Sequence, residues 1–248
     1  MGRGLEHAVR KANELLALAL SEILDATDSN TPHSESRLHV QRKVWTAADI
    51  PEAIKQELWM LYDRNMTTIS TGTSMATPAD EKKRELFDPA TRYVVYLAET
   101  GPSHAPAQTV LGFASIRFDT EDTLDSQEYE NGEQTTVVYI YEMQVASDAR
   151  RLGLGRRLLR DCEALARATG MHKTMLTCLK DNKPGLVFYQ RNGYAPDEID
   201  PTKCIKEEQL AKVRSRRRAA GEEWAEGRRA DTKATEHVDY RILSKLMT

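Results

Sequence analysis

The chain has 248 residues, 40% of them apolar and 29% charged, with a net charge of −3. That length holds one domain with extensions, part of it solvated, and the charge argues against a general nucleic-acid-binding surface. No apolar run reaches the roughly 18 residues a membrane span needs, and three scattered cysteines, Cys162, Cys178 and Cys204, suit neither a disulfide framework nor a zinc site.

In chain order, Leu5, Val9, Ala12, Leu16, Ala19, Leu20 and Ile23 recur at helical spacing, so residues 5–24 are expected to form one amphipathic helix packed on the domain. The opening Met-Gly-Arg-Gly-Leu-Glu-His has no secretory apolar stretch, and a cytoplasmic and nuclear location is expected. Residues 26–36, rich in Ser, Thr, Asn, Asp and Pro, read as a linker. A short strand over 38–44 precedes a helix opened by Asp49 and Pro51, with Ile54, Leu58, Leu61 and Tyr62 on one face. Residues 67–79 read as a polar loop and 80–87 as a charged helical turn, followed by strands over 93–99 and 110–118.

From 119 to 133 the chain carries seven carboxylates, Asp119, Glu121, Asp122, Asp125, Glu128, Glu130 and Glu133, and no Lys or Arg. Alone this is a solvated hairpin; beside an active site it draws in a cation. Residues 135–145 are β-branched and aromatic, hence a strand, and Leu154, Leu158, Leu159, Cys162 and Leu165 mark a helix. A strand over 173–180, a helix over 182–191 closed by Asn192-Gly193, a charged insertion over 203–236 and a last strand over 238–243 complete the reading. The basic run at 212–218 admits a nuclear-localisation reading as well as that of a solvated insertion.

Between the central strand and helix, Gly153 and Gly155 let the backbone approach a ligand, and the first helical N–H groups lack intrahelical partners. With Arg150, Arg151 and Arg156 nearby, the turn suits a pyrophosphate, though an ordinary strand-to-helix turn has the same composition. It has neither the Gly-Lys-Ser/Thr of a nucleoside triphosphate loop nor the third glycine of a dinucleotide fingerprint.

Arg-x-x-Gly-x-Gly at Arg150, Gly153 and Gly155, followed by Phe188-Tyr189 and Gly193-Tyr194, resembles the GCN5-related N-acetyltransferase (GNAT) superfamily. More narrowly, the segments 116–121, 139–145, 150–155, 175–177 and 239–244 resemble the N-alpha-acetyltransferase D family of histone-specific amino-terminal acetyltransferases. The resemblance implies an α/β GNAT fold, a mixed central sheet flanked by helices with an extra N-terminal helix. Residues 1–36 would be helix and linker, 37–202 the acetyltransferase domain, 203–236 an insertion and 237–248 the final strand.

Acetyl-coenzyme A, without a metal, is the implied cosubstrate. Met143, Gln144 and Val145 would contact its acetyl and pantetheine parts, Arg151, Leu152, Gly153, Leu154, Gly155 and Arg156 its pyrophosphate, and Asn182 a farther part. The implied substrate contacts are Ser70, Asp119, Thr120, Glu121, Tyr139, Tyr141, Thr177 and Tyr240. Ser70 and Met75 stand where the narrower family has aromatic residues walling the peptide cleft. The implied partner is a basic peptide terminus, the Ser-Gly-Arg-Gly start of histones four and two-A, met by a monomer with no direct nucleic-acid or membrane contact. Another peptide or small amine, or a binding module with impaired catalysis, are the alternatives.

A peptide α-amine has a pKa near 7.7–8.0 and must lose a proton to attack a thioester. Glu142, on the anchor strand, is the candidate base, acting through an ordered water. Tyr189 stands where many superfamily members keep a general acid, and a backbone N–H near Val145 would meet the oxyanion. Strand alternation puts Tyr139 and Tyr141 on one face and Glu142 on the other, unless a bulge intervenes.

Overall fold

The computed structural model describes residues 2–29, 40–98, 109–122, 134–203 and 238–247. The carboxylates Asp125, Glu128, Glu130 and Glu133, Cys204 and nearly all of the charged insertion lie outside the described residues.

Seven strands form one sheet in the order β1-β2-β3-β4-β5-β7-β6. They are β1 (Val40–Thr46), β2 (Arg92–Ala98), β3 (Val110–Asp122), β4 (Gln134–Val145), β5 (Lys173–Leu179), β6 (Ala195–Pro196) and β7 (Tyr240–Leu246). Every neighbouring pair is antiparallel except β4 and β5. The helices are α1 (Gly2–Asn13), α2 (Ala17–Ser29), α3 (Glu52–Ser70), α4 (Ala79–Leu86), α5 (Leu154–Ala168) and α6 (Lys183–Arg191).

The expected single N-terminal helix is two. Asn13 ends α1: its side chain donates to the Phe118 carbonyl at 3.1 Å, and its own carbonyl accepts from the Arg92 guanidinium, so tertiary bonds break the helical run there. Ala12, Leu20 and Leu24 are buried, whereas Leu16 and Leu18 at the break are exposed.

Two boundaries also differ from the periodicity. α3 runs on through residues 67–70, so Ser70 ends a helix instead of lying in a loop. β3 continues through Asp122, so the first acidic residues are strand, paired Asp119↔Val137 to Asp122↔Gln134. Backbone ladder bonds outweigh the poor strand propensity of Asp and Glu at this edge.

Strand alternation divides the core. Gly112, Ala114 and Ile116 face α5, while Phe113, Ser115 and Arg117 face the opposite side, where α3 and α4 lie. A Cβ at Gly112 would sit 2.9 Å from the Gln144 carbonyl oxygen and 3.2 Å from Leu154, so α5 rests against β3 only because this residue is glycine. Gly112→Ala is therefore expected to destabilise the protein by about 1–3 kcal/mol in denaturant unfolding; a parent-like midpoint would show that the strand yields without cost.

Candidate active site

β4 and β5 pair only from Val137↔Lys173 to Ile140↔Leu176. Beyond Ile140 the two strands part, opening a wedge whose walls are 141–145 and 177–179. On the other edge of β4 the register with β3 slips, from Ile116↔Ile140 to Ser115↔Glu142. Tyr141 is the extra residue of this bulge, so Tyr141 and Glu142, though adjacent in sequence, lie on the same face of the sheet.

That face carries Arg117, Asp119 and Glu121 of β3, Tyr139 and Tyr141 of β4 and Thr177 of β5. Tyr139 and Tyr141 are 4.9 Å apart between ring centroids, the Tyr139 hydroxyl bonds Thr177 Oγ1 at 2.6 Å, and the Arg117 guanidinium stacks 4.0 Å over Tyr141. Burial pushes the Tyr139 phenol up to about 12, with Thr177 pulling it back and the charge of Glu121 adding to the rise. Burial raises Tyr141 too; Arg117 opposes it and Asp119 reinforces it. Tyr240 is close enough to act on Tyr139, which brings β7 to the same patch. Thr120 is separated from this group: it pairs with Thr136, on the opposite face from Asp119 and Glu121.

The loop after Ser70 is tied to the start of β7. Ser74 donates from its backbone N–H at 2.6 Å and its hydroxyl at 2.5 Å to Asp239, the residue before Tyr240. These two bonds hold the Asp239 carboxyl below its usual range.

Glu142 is largely buried, with 10% of its side-chain surface exposed. Lys82 Nζ lies 2.8 Å from its Oε1, and Gln144 Nε2 donates to its Oε2 at 2.8 Å. Burial raises the carboxyl pKa above the ordinary carboxylate range, while Lys82 and Gln144 restrain the rise. Burial alone would lower Lys82, yet Glu142 and Glu85, the latter at 3.0 Å, hold it protonated above the ordinary lysine range. Lys82, absent from the residues expected from sequence, is the central addition to the site. Its clue was spacing: Lys82 and the buried Leu86 stand four apart on α4, so the lysine occupies a core-facing position.

Across the wedge, Tyr189 on α6 packs edge-on against Phe188 and Tyr194, at 5.3 and 5.9 Å between centroids. Burial raises its phenol far above the ordinary tyrosine value, with nearby Cys178 and Glu142 adding to the rise, so the hydroxyl keeps its proton.

The turn before α5 is left-handed at both Arg151 (φ 65°) and Gly153 (φ 85°). Gly153 is the N-cap and supplies no side-chain bond, which leaves the first amides of α5 uncapped behind the exposed Arg150, Arg151 and Arg156. Gly155 has a further reason to be glycine: a Cβ there would lie 3.2 Å from the Phe188 ring, which packs α6 against the mouth of the turn. Leu152 is exposed, and Leu154 is buried beneath α5. Uncapped amides ringed by arginines fit a diphosphate.

Of the other expected cofactor residues, Met143 and Val145 face α5 half-buried, and the Val145 carbonyl accepts from Asn65 and Arg150, at 3.2 Å each. The Gln144 side chain points to the opposite face and is engaged with Glu142 and Asn65. Asn182 caps α6, its Oδ1 accepting from the Gly185 N–H at 3.0 Å. Among the described residues no group of three or more His, Cys, Asp or Glu could hold a metal, and no helix is long and apolar enough to cross a membrane.

The sequence model of the acetyltransferase (GNAT) family matches residues 55–194, from α3 through Tyr194. The chain belongs to that family. GNAT acetyltransferases depend on acetyl-coenzyme A, and the uncapped turn beside the parting of β4 and β5 has the donors and charge that suit the diphosphate of such a ligand. The fold is similar to that of the NatC complex bound to Gag peptide and CoA, at 13% identity and a TM-score of 0.48 over 85% of this chain and 100% of that one. It is also similar to Arabidopsis thaliana NAA60 in complex with acetyl-CoA (12%, TM-score 0.49, 84% and 98%) and to Ard1 from Thermoplasma volcanium (12%, TM-score 0.46, 85% and 99%). These likenesses are remote; the GNAT assignment rests on residues 55–194.

Proposed function

We propose that this GNAT protein is an amino-terminal acetyltransferase for peptides that begin Ser-Gly-Arg-Gly, the tails of histones four and two-A. The observation that carries the reading is the acidic and aromatic face beside the wedge: Asp119, Glu121, Tyr139, Tyr141, Thr177 and Tyr240, with the bulge turning Glu142 to the same side. Carboxylates there suit an arginine-containing terminus, and the tyrosines suit its short first residues.

When bound, acetyl-coenzyme A supplies an activated thioester. Leu152, Gly153, Leu154, Gly155 and Arg156, with Arg151, would hold its diphosphate through amides and charge. Glu142 takes a proton from the incoming ammonium. Lys82 and Gln144 occupy one lone pair on each carboxylate oxygen and leave others for the amine or a bridging water. Its raised pKa brings it nearer that of the amine, which favours the transfer. Tyr189 Oη keeps a proton that it can give to a departing thiolate.

Ser70 and Met75, in place of aromatic residues, favour a second reading in which the acceptor is another peptide or a small amine. A free Ser-Gly-Arg-Gly-Lys peptide, its amino-terminally blocked form and an unrelated peptide, each incubated with acetyl-coenzyme A, separate the two. Acetylation of the first alone is expected. Equal modification of the blocked peptide would make lysine the target and remove the amino-terminal reading.

A further inference from the structure

Behind Glu142 runs a chain of side-chain bonds that the acetyl-transfer chemistry does not use directly. Arg150 Nη2 donates to Asn65 Oδ1 at 2.7 Å. Asn65 Nδ2 donates to Gln144 Oε1 at 3.1 Å and to the Val145 carbonyl at 3.2 Å. Gln144 Nε2 donates in turn to Glu142 Oε2 at 2.8 Å. The links come from the phosphate-side turn, α3 and β4.

The direction of this chain follows from its ends. A guanidinium has only donors, so the oxygen of the Asn65 amide must face Arg150. A carbonyl and an ionised carboxylate only accept, so the NH2 of Asn65 faces Val145 and that of Gln144 faces Glu142. Reversing either amide would set oxygen against oxygen or nitrogen against nitrogen. Gln144 is buried, with 7% of its surface exposed, so a mismatched amide there costs its full desolvation.

We infer that Asn65 and Gln144 are positioning residues, which Arg150 orients so that Gln144 presents a hydrogen-bond donor to Glu142 and holds the base at one angle and one basicity. The inference rests on the reading of Glu142 as the base. It also moves Gln144 from a cofactor contact to a support for that base. Other groups face the same carboxylate: Lys82 and Glu85 from α4, Tyr62 from α3, Tyr189 from α6 and the buried Ser115 hydroxyl from β3. Lys82 holds the other oxygen, so loss of the Gln144 donor leaves the carboxylate half supported.

Asn65→Asp keeps the shape and keeps an acceptor for Arg150, but it can no longer donate to Gln144. The Gln144 amide then turns its NH2 toward the new carboxylate and its oxygen toward Glu142. The acidic limb of the kcat profile, and the Glu142 carboxyl titration followed by infrared difference spectroscopy without cofactor, are both expected to move up by about one pH unit or more. Gln144→Met removes the donor without reversing anything and is expected to give a smaller shift of the same sign. Thermal melts check that each variant is folded. An unmoved carboxyl titration in both folded variants would overturn the relay even where Glu142→Gln abolishes turnover; parent-like turnover in Glu142→Gln would instead remove the base.

Discussion

Glu142→Gln is expected to lower kcat by about 10²- to 10⁴-fold while leaving coenzyme A affinity unchanged. The substitution keeps the volume of the side chain and leaves the turn at Gly153 untouched; it removes the proton acceptor and one of the two carboxylates that face Lys82, with Glu85 remaining at 3.0 Å. Glu142 is the carboxylate that the β3–β4 bulge sets on the face of Tyr139 and Tyr141, beside the wedge between β4 and β5. Steady-state kinetics with the acceptor peptide and calorimetry with coenzyme A measure the two halves separately. Parent-like kcat would take Glu142 out of the chemistry, and a joint loss of turnover and coenzyme A binding would mean that the residue shapes the wedge.

Lys82→Ala has the largest expected effect on stability. It leaves the buried Glu142 without its counter-ion, and breaking a buried pair on one side costs about 3–5 kcal/mol when the remaining charge cannot neutralise. Glu142 can neutralise by taking up a proton, so the loss depends on pH. Its folded pKa, already raised by burial, rises further without Lys82, whereas the unfolded value stays near 4.3. A carboxyl with a raised folded pKa binds more protons folded than unfolded, so stability is highest below the unfolded pKa and falls as pH rises through the folded one. Denaturant unfolding of the variant is thus expected to show a small deficit at acid pH and a large one above neutrality. A deficit equal at both pH values would mean that Lys82 stabilises through its contact with Tyr62, 5.2 Å from its ring centroid, and not through its pairing with Glu142. Lys82→Met with Glu142→Gln, which removes both charges, should recover much of the loss.

Much of the site was legible because it is local. Gly153 and Gly155 are two apart in one turn, and the uncapped helix start follows from those residues alone. Asp119 and Glu121 share a face because they are two apart on a strand. Lys82 and Asn65 were not legible as site residues: each reaches β4 from a helix distant in the sequence, and only the packing of α3 and α4 under the sheet sets their bonds. The side of β4 on which Glu142 stands was also undecided by alternation, because a one-residue bulge reverses it.

The sequence by itself determined the family, the turn before α5 and the strand that carries Glu142, since these rest on residue types and short spacings along one stretch of backbone. The tertiary structure alone decided that Glu142 is paired with Lys82, that Gln144 faces the base and that α1 ends at Asn13. Each is settled by contacts between segments far apart in the chain, where the energy of burying a charge or satisfying an amide outweighs any local preference.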